Sequence, residues 1–182
     1  MENNLLKTEN YLKSTIRSIP DFPKKGIVFR DITTLLKDPR ALQEVVDLFY
    51  HAYKDKNITK VVSVESRGFI FGGVLAYRLN AGFVPIRKKG KLPAKTFGEE
   101  YVLEYGTDTI EIHEDAIEPG DRVVIHDDLL ATGGTIAAAC RLVERLQAKI
   151  VGLSFLIELS FLNGRERIKQ YPIQTLITYD SE

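Results

Sequence analysis

The segment Val123-Val124-Ile125-His126-Asp127-Asp128-Leu129-Leu130-Ala131-Thr132-Gly133-Gly134-Thr135 limits the possible folds more than any other part of the chain. Its apolar opening follows the turn Pro119-Gly120-Asp121 and reads as a buried strand over residues 122–126. Apolar residues at Ile136, Ala139, Cys140, Val143 and Leu146 then recur at helical spacing. A strand, a Gly-rich loop and a helix make half of a βαβ crossover, the unit from which parallel sheets are built. The same order occurs upstream, where residues 60–65 form a short valine-rich strand, Ser66-Arg67-Gly68 turns, and residues 69–79 form an apolar helix closed by Asn80, Ala81 and Gly82. Strands at residues 83–87, 150–159 and 173–179 and a short helix near Arg165 complete the pattern, with Pro85 moving its strand toward an edge or irregular position. The predicted fold class is α/β, with a mostly parallel central sheet and helices on both faces. Such sheets bind ligands at the carboxyl ends of their strands.

Outside this core, Leu5, Leu12, Ile16 and Ile19 predict a short amphipathic helix that stops before Pro20, followed by an aromatic and ionic loop over residues 19–31. Asp38-Pro39 is a good helix start and predicts a helix over residues 39–54. Residues 93–118 lack a helical period, and the alternation Thr109-Ile110-Glu111-Ile112-His113 predicts a β-hairpin standing apart from the main sheet as a flexible flap. At 182 residues the chain suits one domain over residues 1–182.

Lysine plus arginine equals aspartate plus glutamate at 25 each, so no global positive field exists to hold a nucleic-acid backbone or an anionic membrane. Phosphate binding must therefore be local. The one cysteine, Cys140, has no internal disulfide partner, and no His/Cys cluster has zinc-like spacing. No signal-peptide core is evident in residues 1–10, and no apolar run reaches the ~20 residues of a membrane span. The expected location is cytoplasmic.

The chemistry follows from the opening segment. A buried strand delivering Asp127 and Asp128 to its carboxyl end presents acceptors for the two vicinal hydroxyls of a ribose. Ala131, Thr132, Gly133, Gly134 and Thr135 then lie at a helix N-terminus, where unpaired N–H groups and the helix dipole favour an anion. The glycines allow close approach, the threonines add hydroxyl donors, and bulk at Gly133 is expected to block a phosphate. The alternative is a surface Asp-Asp turn before an ordinary threonine-capped helix.

This stretch resembles the signature of the type I phosphoribosyltransferases. Further stretches resemble the adenine-specific members of that family: Asp21-Phe22-Pro23, residues 26–32, Ser66-Arg67-Gly68-Phe69, residues 87–93 and Leu103-Glu104-Tyr105-Gly106, in the family's order over roughly residues 20–158. The resemblance implies transfer of 5-phosphoribose from phosphoribosyl pyrophosphate to adenine, giving AMP and pyrophosphate. It implies a small N-terminal hood over about residues 1–35, with adenine at Val28, Phe29 and Arg30, and a catalytic flap over about residues 93–118, with Glu104 managing the purine's proton. Pyrophosphate is expected at Ser66, Arg67, Gly68, Arg87, Lys88 and Lys91, with Arg67, Asp127 and Asp128 joining Glu104 as catalytic residues. Mg²⁺ is expected to be held mainly by substrate and water, without a dedicated protein metal site. The resemblance also implies a homodimer in which Arg87 reaches the neighbouring site, and a cis Glu65–Ser66 peptide. His126 departs from the family pattern, which carries an aliphatic residue there. Transfer to another base, and a regulator that binds phosphoribosyl pyrophosphate without catalysis, are the competing readings; neutral charge opposes the second.

Overall fold

The computed structural model is described here for residues 2–102 and 106–182, without the side chains of residues 2–5 and 102. Helix α1 (Glu2–Thr15), strands β1 (Arg17–Pro20) and β2 (Val28–Asp31) and the short helix α2 (Thr33–Leu36) precede helix α3 (Pro39–Tyr53). There follow β3 (Lys60–Val64), α4 (Gly68–Leu79), β4 (Gly82–Lys88), β5 (Thr96–Val102), β6 (Thr107–His113), β7 (Arg122–Leu130), α5 (Gly134–Arg145) and β8 (Lys149–Leu159). Two 3-10 turns, Ser160–Leu162 and Gly164–Arg167, lead to β9 (Ile173–Tyr179). The central sheet has the order β5-β6-β4-β3-β7-β8-β9, while β1 and β2 pair separately. Strands β4, β3, β7, β8 and β9 are mutually parallel, whereas β6 runs antiparallel to both β4 and β5.

Period-two alternation in the strands builds two cores, one on each face of the sheet. Val62, Val123 and Ile125 pack with α5 on one side, and Val61 and Val124 pack with α1, α3 and α4 on the other. Helix α3 starts where expected, because the Asp38 carboxylate accepts the N–H groups of Arg40 and Ala41 at 2.9 and 3.3 Å. It buries Val45, Phe49 and Tyr53 completely or nearly so, and truncating a fully enclosed ring such as Phe49 costs about 3–5 kcal/mol.

Three expectations are corrected. The first helix ends at Thr15, and Ile19 lies in β1, because residues 17–31 form an antiparallel ribbon in place of the expected loop. The flap hairpin does not stand apart: β6 pairs with β4 at Arg87↔Glu111 and Lys88↔Ile110, so β5 and β6 extend the main sheet. Strand β7 continues past His126 through both aspartates to Leu130, paired with β8. Pro85 sits opposite Ser63 of β3, in the part of β4 that β6 does not reach, so its missing N–H costs no ladder bond there.

Chain connections leave β3 toward β4 and leave β7 toward β8, in opposite directions across the sheet. The carboxyl ends of β3 and β7 therefore flank a topological switch point, where α/β sheets open a crevice.

Candidate active site

A cavity of about 520 Å³ opens at that switch point. Its wall is continuous along Asp127, Asp128, Leu129, Leu130, Ala131, Thr132, Gly133, Gly134, Thr135 and Ile136, and it is completed by Phe29, Val64, Glu65, Ser66, Arg67, Lys88, Tyr101 and Ile110. Gly133 holds φ +79° at the N-cap of α5, a left-handed conformation that turns the loop under the helix. Behind it lies Gly164: a Cβ on Gly133 would come within 2.5 Å of the Gly164 carbonyl oxygen. The 3-10 turn starting at Gly164 is fixed in turn by a bidentate pair from Arg165 to Glu158, at 2.6 and 2.7 Å.

The two aspartates are held differently. Asp127 is half-buried with a face toward the cavity, and its Oδ1 accepts the Asp128 N–H at 2.9 Å. Gly68 lets α4 approach it, since a Cβ there would lie 2.9 Å from Asp127 Oδ1. Asp128 is buried against Arg67, whose Nε lies 2.8 Å from Oδ2 in an ion pair that lacks hydrogen-bond alignment. Burial, followed by the Asp128 charge, pushes the Asp127 carboxyl well above the usual range. Burial also raises Asp128, against the lowering pull of Arg67. Two adjacent carboxyls short of positive charge are prepared to take hydroxyl or cationic partners.

The cationic side of the cavity is internally neutralised. Glu65 accepts the Lys88 N–H at 3.0 Å, receives Arg87 Nε at 3.4 Å, and pairs with Lys91. Although burial works against it, Lys91, the Lys88 amide and Arg87 hold the Glu65 carboxyl down at about 2. Lys88 Nζ reaches Asp108 of β6 at 3.2 Å. Arg67 also lies over the Phe29 ring, 5.2 Å from its centroid, which joins the N-terminal ribbon to the β3 turn.

Residues 31–178 match the family model described as a phosphoribosyl transferase domain. An adenine phosphoribosyltransferase from Phocaeicola vulgatus is 59% identical over 168 residues, spanning 92% of this chain and 97% of that protein. The chain belongs to the adenine phosphoribosyltransferase family. Crystal structures agree: the adenine phosphoribosyltransferase of Rhodothermus marinus matches with a TM-score of 0.91 at 54% identity, covering 96% of this chain and 99% of that one. That of Saccharomyces cerevisiae, complexed with D-2,5-dideoxy-2,5-imino-altritol 1,6-bisphosphate and adenine, matches with a TM-score of 0.89 at 42% identity, covering 94% and 99%.

Within this phosphoribosyltransferase fold, the cavity brings together Phe29, Ser66, Arg67, Lys88, both aspartates and the whole loop from Ala131 to Thr135. Gly68, Arg87, Lys91, Val28 and Arg30 do not line it. Gly68 instead permits close packing, and Arg87 and Lys91 are engaged with Glu65. The Val28 N–H donates to Glu182 at 2.7 Å, and the Arg30 guanidinium lies 4.0 Å from the Tyr179 ring centroid. Glu104 lies outside the described residues. The Glu65–Ser66 peptide is cis. His126 is fully buried with Nδ1 3.2 Å from Ser154 Oγ, its ring edge-on to those of Phe49 and Phe71, and burial lowers its pKa to about 3.

Sequence reasoning missed Glu65, Tyr101 and Gly164 as parts of the site. Glu65 is the last residue of the predicted strand over residues 60–65, and its place at a strand's carboxyl end beside Ser66 is the signal that could have found it. The Asn163-Gly164 pair after a buried strand marked a turn, but nothing local tied that turn to Gly133.

Proposed function

We propose the following division of labour for the transfer of 5-phosphoribose from phosphoribosyl pyrophosphate to adenine, which gives AMP and pyrophosphate. The 5-phosphate lies in the Ala131–Thr135 loop, held by amides at the start of α5 and by the Thr132 and Thr135 hydroxyls. Asp127 and Asp128 accept the ribose hydroxyls. The observation that carries this reading is that one cavity joins the two β7 carboxyls, the α5 loop and the Ser66-Arg67 turn.

In the reaction the bond from the anomeric carbon to pyrophosphate breaks as a purine nitrogen bonds to that carbon, and the nitrogen's proton leaves. Arg67, Ser66 and Lys88 stabilise the departing pyrophosphate, and Arg87 and Lys91 join them by exchanging Glu65 for phosphate oxygens. Glu104 takes or stabilises the purine proton. Adenine sits against the Val28–Arg30 segment with Phe29 as an apolar face, and a 6-amino group selects for a backbone acceptor there. Mg²⁺ fits the donor chemistry, because Asp127 presents hard carboxylate oxygen to a cavity that would also contain pyrophosphate and diol oxygens. Its contribution when bound is to neutralise pyrophosphate charge.

A homodimer is supported by exposed apolar side chains on α4 and β4, namely Ile70, Val74, Tyr77 and Phe83. A cytoplasmic location is supported by the buried, unpaired Cys140. No helix among the described residues is long and apolar enough to cross a membrane.

The test is spectrophotometric turnover of adenine with phosphoribosyl pyrophosphate and Mg²⁺, with hypoxanthine in parallel. Adenine is expected to be consumed and AMP to form. Binding of phosphoribosyl pyrophosphate without product would favour a regulator, and preference for hypoxanthine would overturn the base assignment.

A further inference from the structure

We propose that Tyr101, on the flap strand β5, is a further substrate-binding residue whose phenol donates a hydrogen bond to the 5-phosphate alongside the Ala131–Thr135 loop. This rests on the assignment of that loop to the phosphate. Three observations carry it. Tyr101 lines the same cavity as the loop, although it comes from a distant strand. Its side chain lies near that of Thr135, a residue assigned to the phosphate, and both face the same cavity. Its own proton points to Asp108 Oδ2 at 3.4 Å, beyond the usual range for an O–H···O bond.

The ring itself is fixed. It packs in the core beside Ile110 and α5 and is only 8% exposed, so the hydroxyl is presented without the ordering cost of a mobile side chain. Tyr101 and Asp108 face each other in the β5–β6 register, and Lys88 Nζ holds Asp108 at 3.2 Å, which leaves that carboxylate partnered when the phenol turns away. Exchanging a long contact to Asp108 for a charge-assisted bond to a phosphate oxygen is favourable, because phosphate oxygens are strong acceptors and the phenol remains protonated at neutral pH. The flap would then be attached to the substrate through β5 as well as through Glu104.

The alternative is that Tyr101 only packs the flap against α5. Tyr101→Phe separates the two, since it keeps the ring and removes the donor. Dissociation constants for ribose 5-phosphate and for pyrophosphate are to be measured by titration calorimetry on the wild type, on Tyr101→Phe and on the double variant Thr132→Val with Thr135→Val. Tyr101→Phe should weaken ribose 5-phosphate about tenfold and leave pyrophosphate unchanged. Unchanged ribose 5-phosphate affinity would overturn the proposal, and so would an equal loss for both ligands, which marks a displaced flap. If the threonine double variant also binds ribose 5-phosphate normally, the loop assignment itself fails. Loss in the double variant alone defeats only the role of Tyr101.

Discussion

Replacing Gly133 with alanine tests how the Ala131–Thr135 loop, proposed to hold the phosphate, is built. The residue sits at φ +79°, which costs an L-amino acid about 1–2 kcal/mol. The added Cβ would lie 2.5 Å from the Gly164 carbonyl oxygen, so something must move, and relieving overlap of this kind in packed surroundings costs about 1–3 kcal/mol. Gly164 has little room to retreat: it is pressed against the Ala131 carbonyl on one side, and the next residue, Arg165, is anchored to Glu158. The sum is about 2–5 kcal/mol. For a chain of 182 residues, each kcal/mol lowers Tm by about 2–4 °C, so a fall of roughly 10 °C is expected. Scanning calorimetry reads that fall, and titration with ribose 5-phosphate reads the accompanying loss of affinity as the loop shifts. This revises the expectation that bulk at Gly133 acts by filling the phosphate site, since the first methyl group already meets the chain behind the loop. A Gly133→Ala protein with wild-type Tm would refute the reasoning, whatever its affinity.

Asp127→Asn with Asp128→Asn should weaken ribose 5-phosphate binding at least about a hundredfold, as two acceptors of charge-assisted bonds are lost. Tm should hold or rise, because both carboxyls are raised by burial and ionising them opposes folding; a cooperative transition at much lower temperature would contradict this. Asp31, with Arg17 at its carboxylate, and Glu65, with Lys91, are both held at about 2. As depressed acids they stabilise the fold fully above about pH 4.5 and lose that contribution as pH falls toward 2, so urea midpoints should drop over that window, and less steeply in Asp31→Asn. An equal slope in the variant would remove Asp31 from the account. His126, lowered to about 3, should stay neutral from pH 5.5 to 8, and an imidazole NMR resonance of this residue that titrates in that range would show that its burial has been misjudged. Glu104→Ala should lower kcat more than sugar affinity, and the opposite pattern would remove its role in proton handling.

Much of the architecture was legible because its signals are local. Helices α3, α4 and α5 and strands β3 and β9 follow from periodicity, caps and turn residues within a few positions of one another. That Asp127, Asp128 and the Ala131–Thr135 loop share one cavity was legible for the same reason: a strand, a tight loop and a helix N-terminus are contiguous in sequence, so the cavity's longest wall is encoded in one stretch. The β1–β2 ribbon was not, since Pro20, Pro23 and Gly26 read as a loop and only cross-strand pairing makes strands of its flanks.

What tertiary structure alone decided depends on distant partners. The two rungs between β4 and β6 join the flap hairpin to the sheet, and these pairings are set by the fold of both strands rather than by either one. Gly164 supports Gly133 across an entire helix and strand, Glu65 gathers cations from the β4 end, and Tyr101 meets Thr135 from the flap. The sequence by itself determined which residues carry donors, acceptors and left-handed turns. It did not determine which of them touch, because contact energy is realised only after loop closure brings remote segments together, and no periodicity records that step.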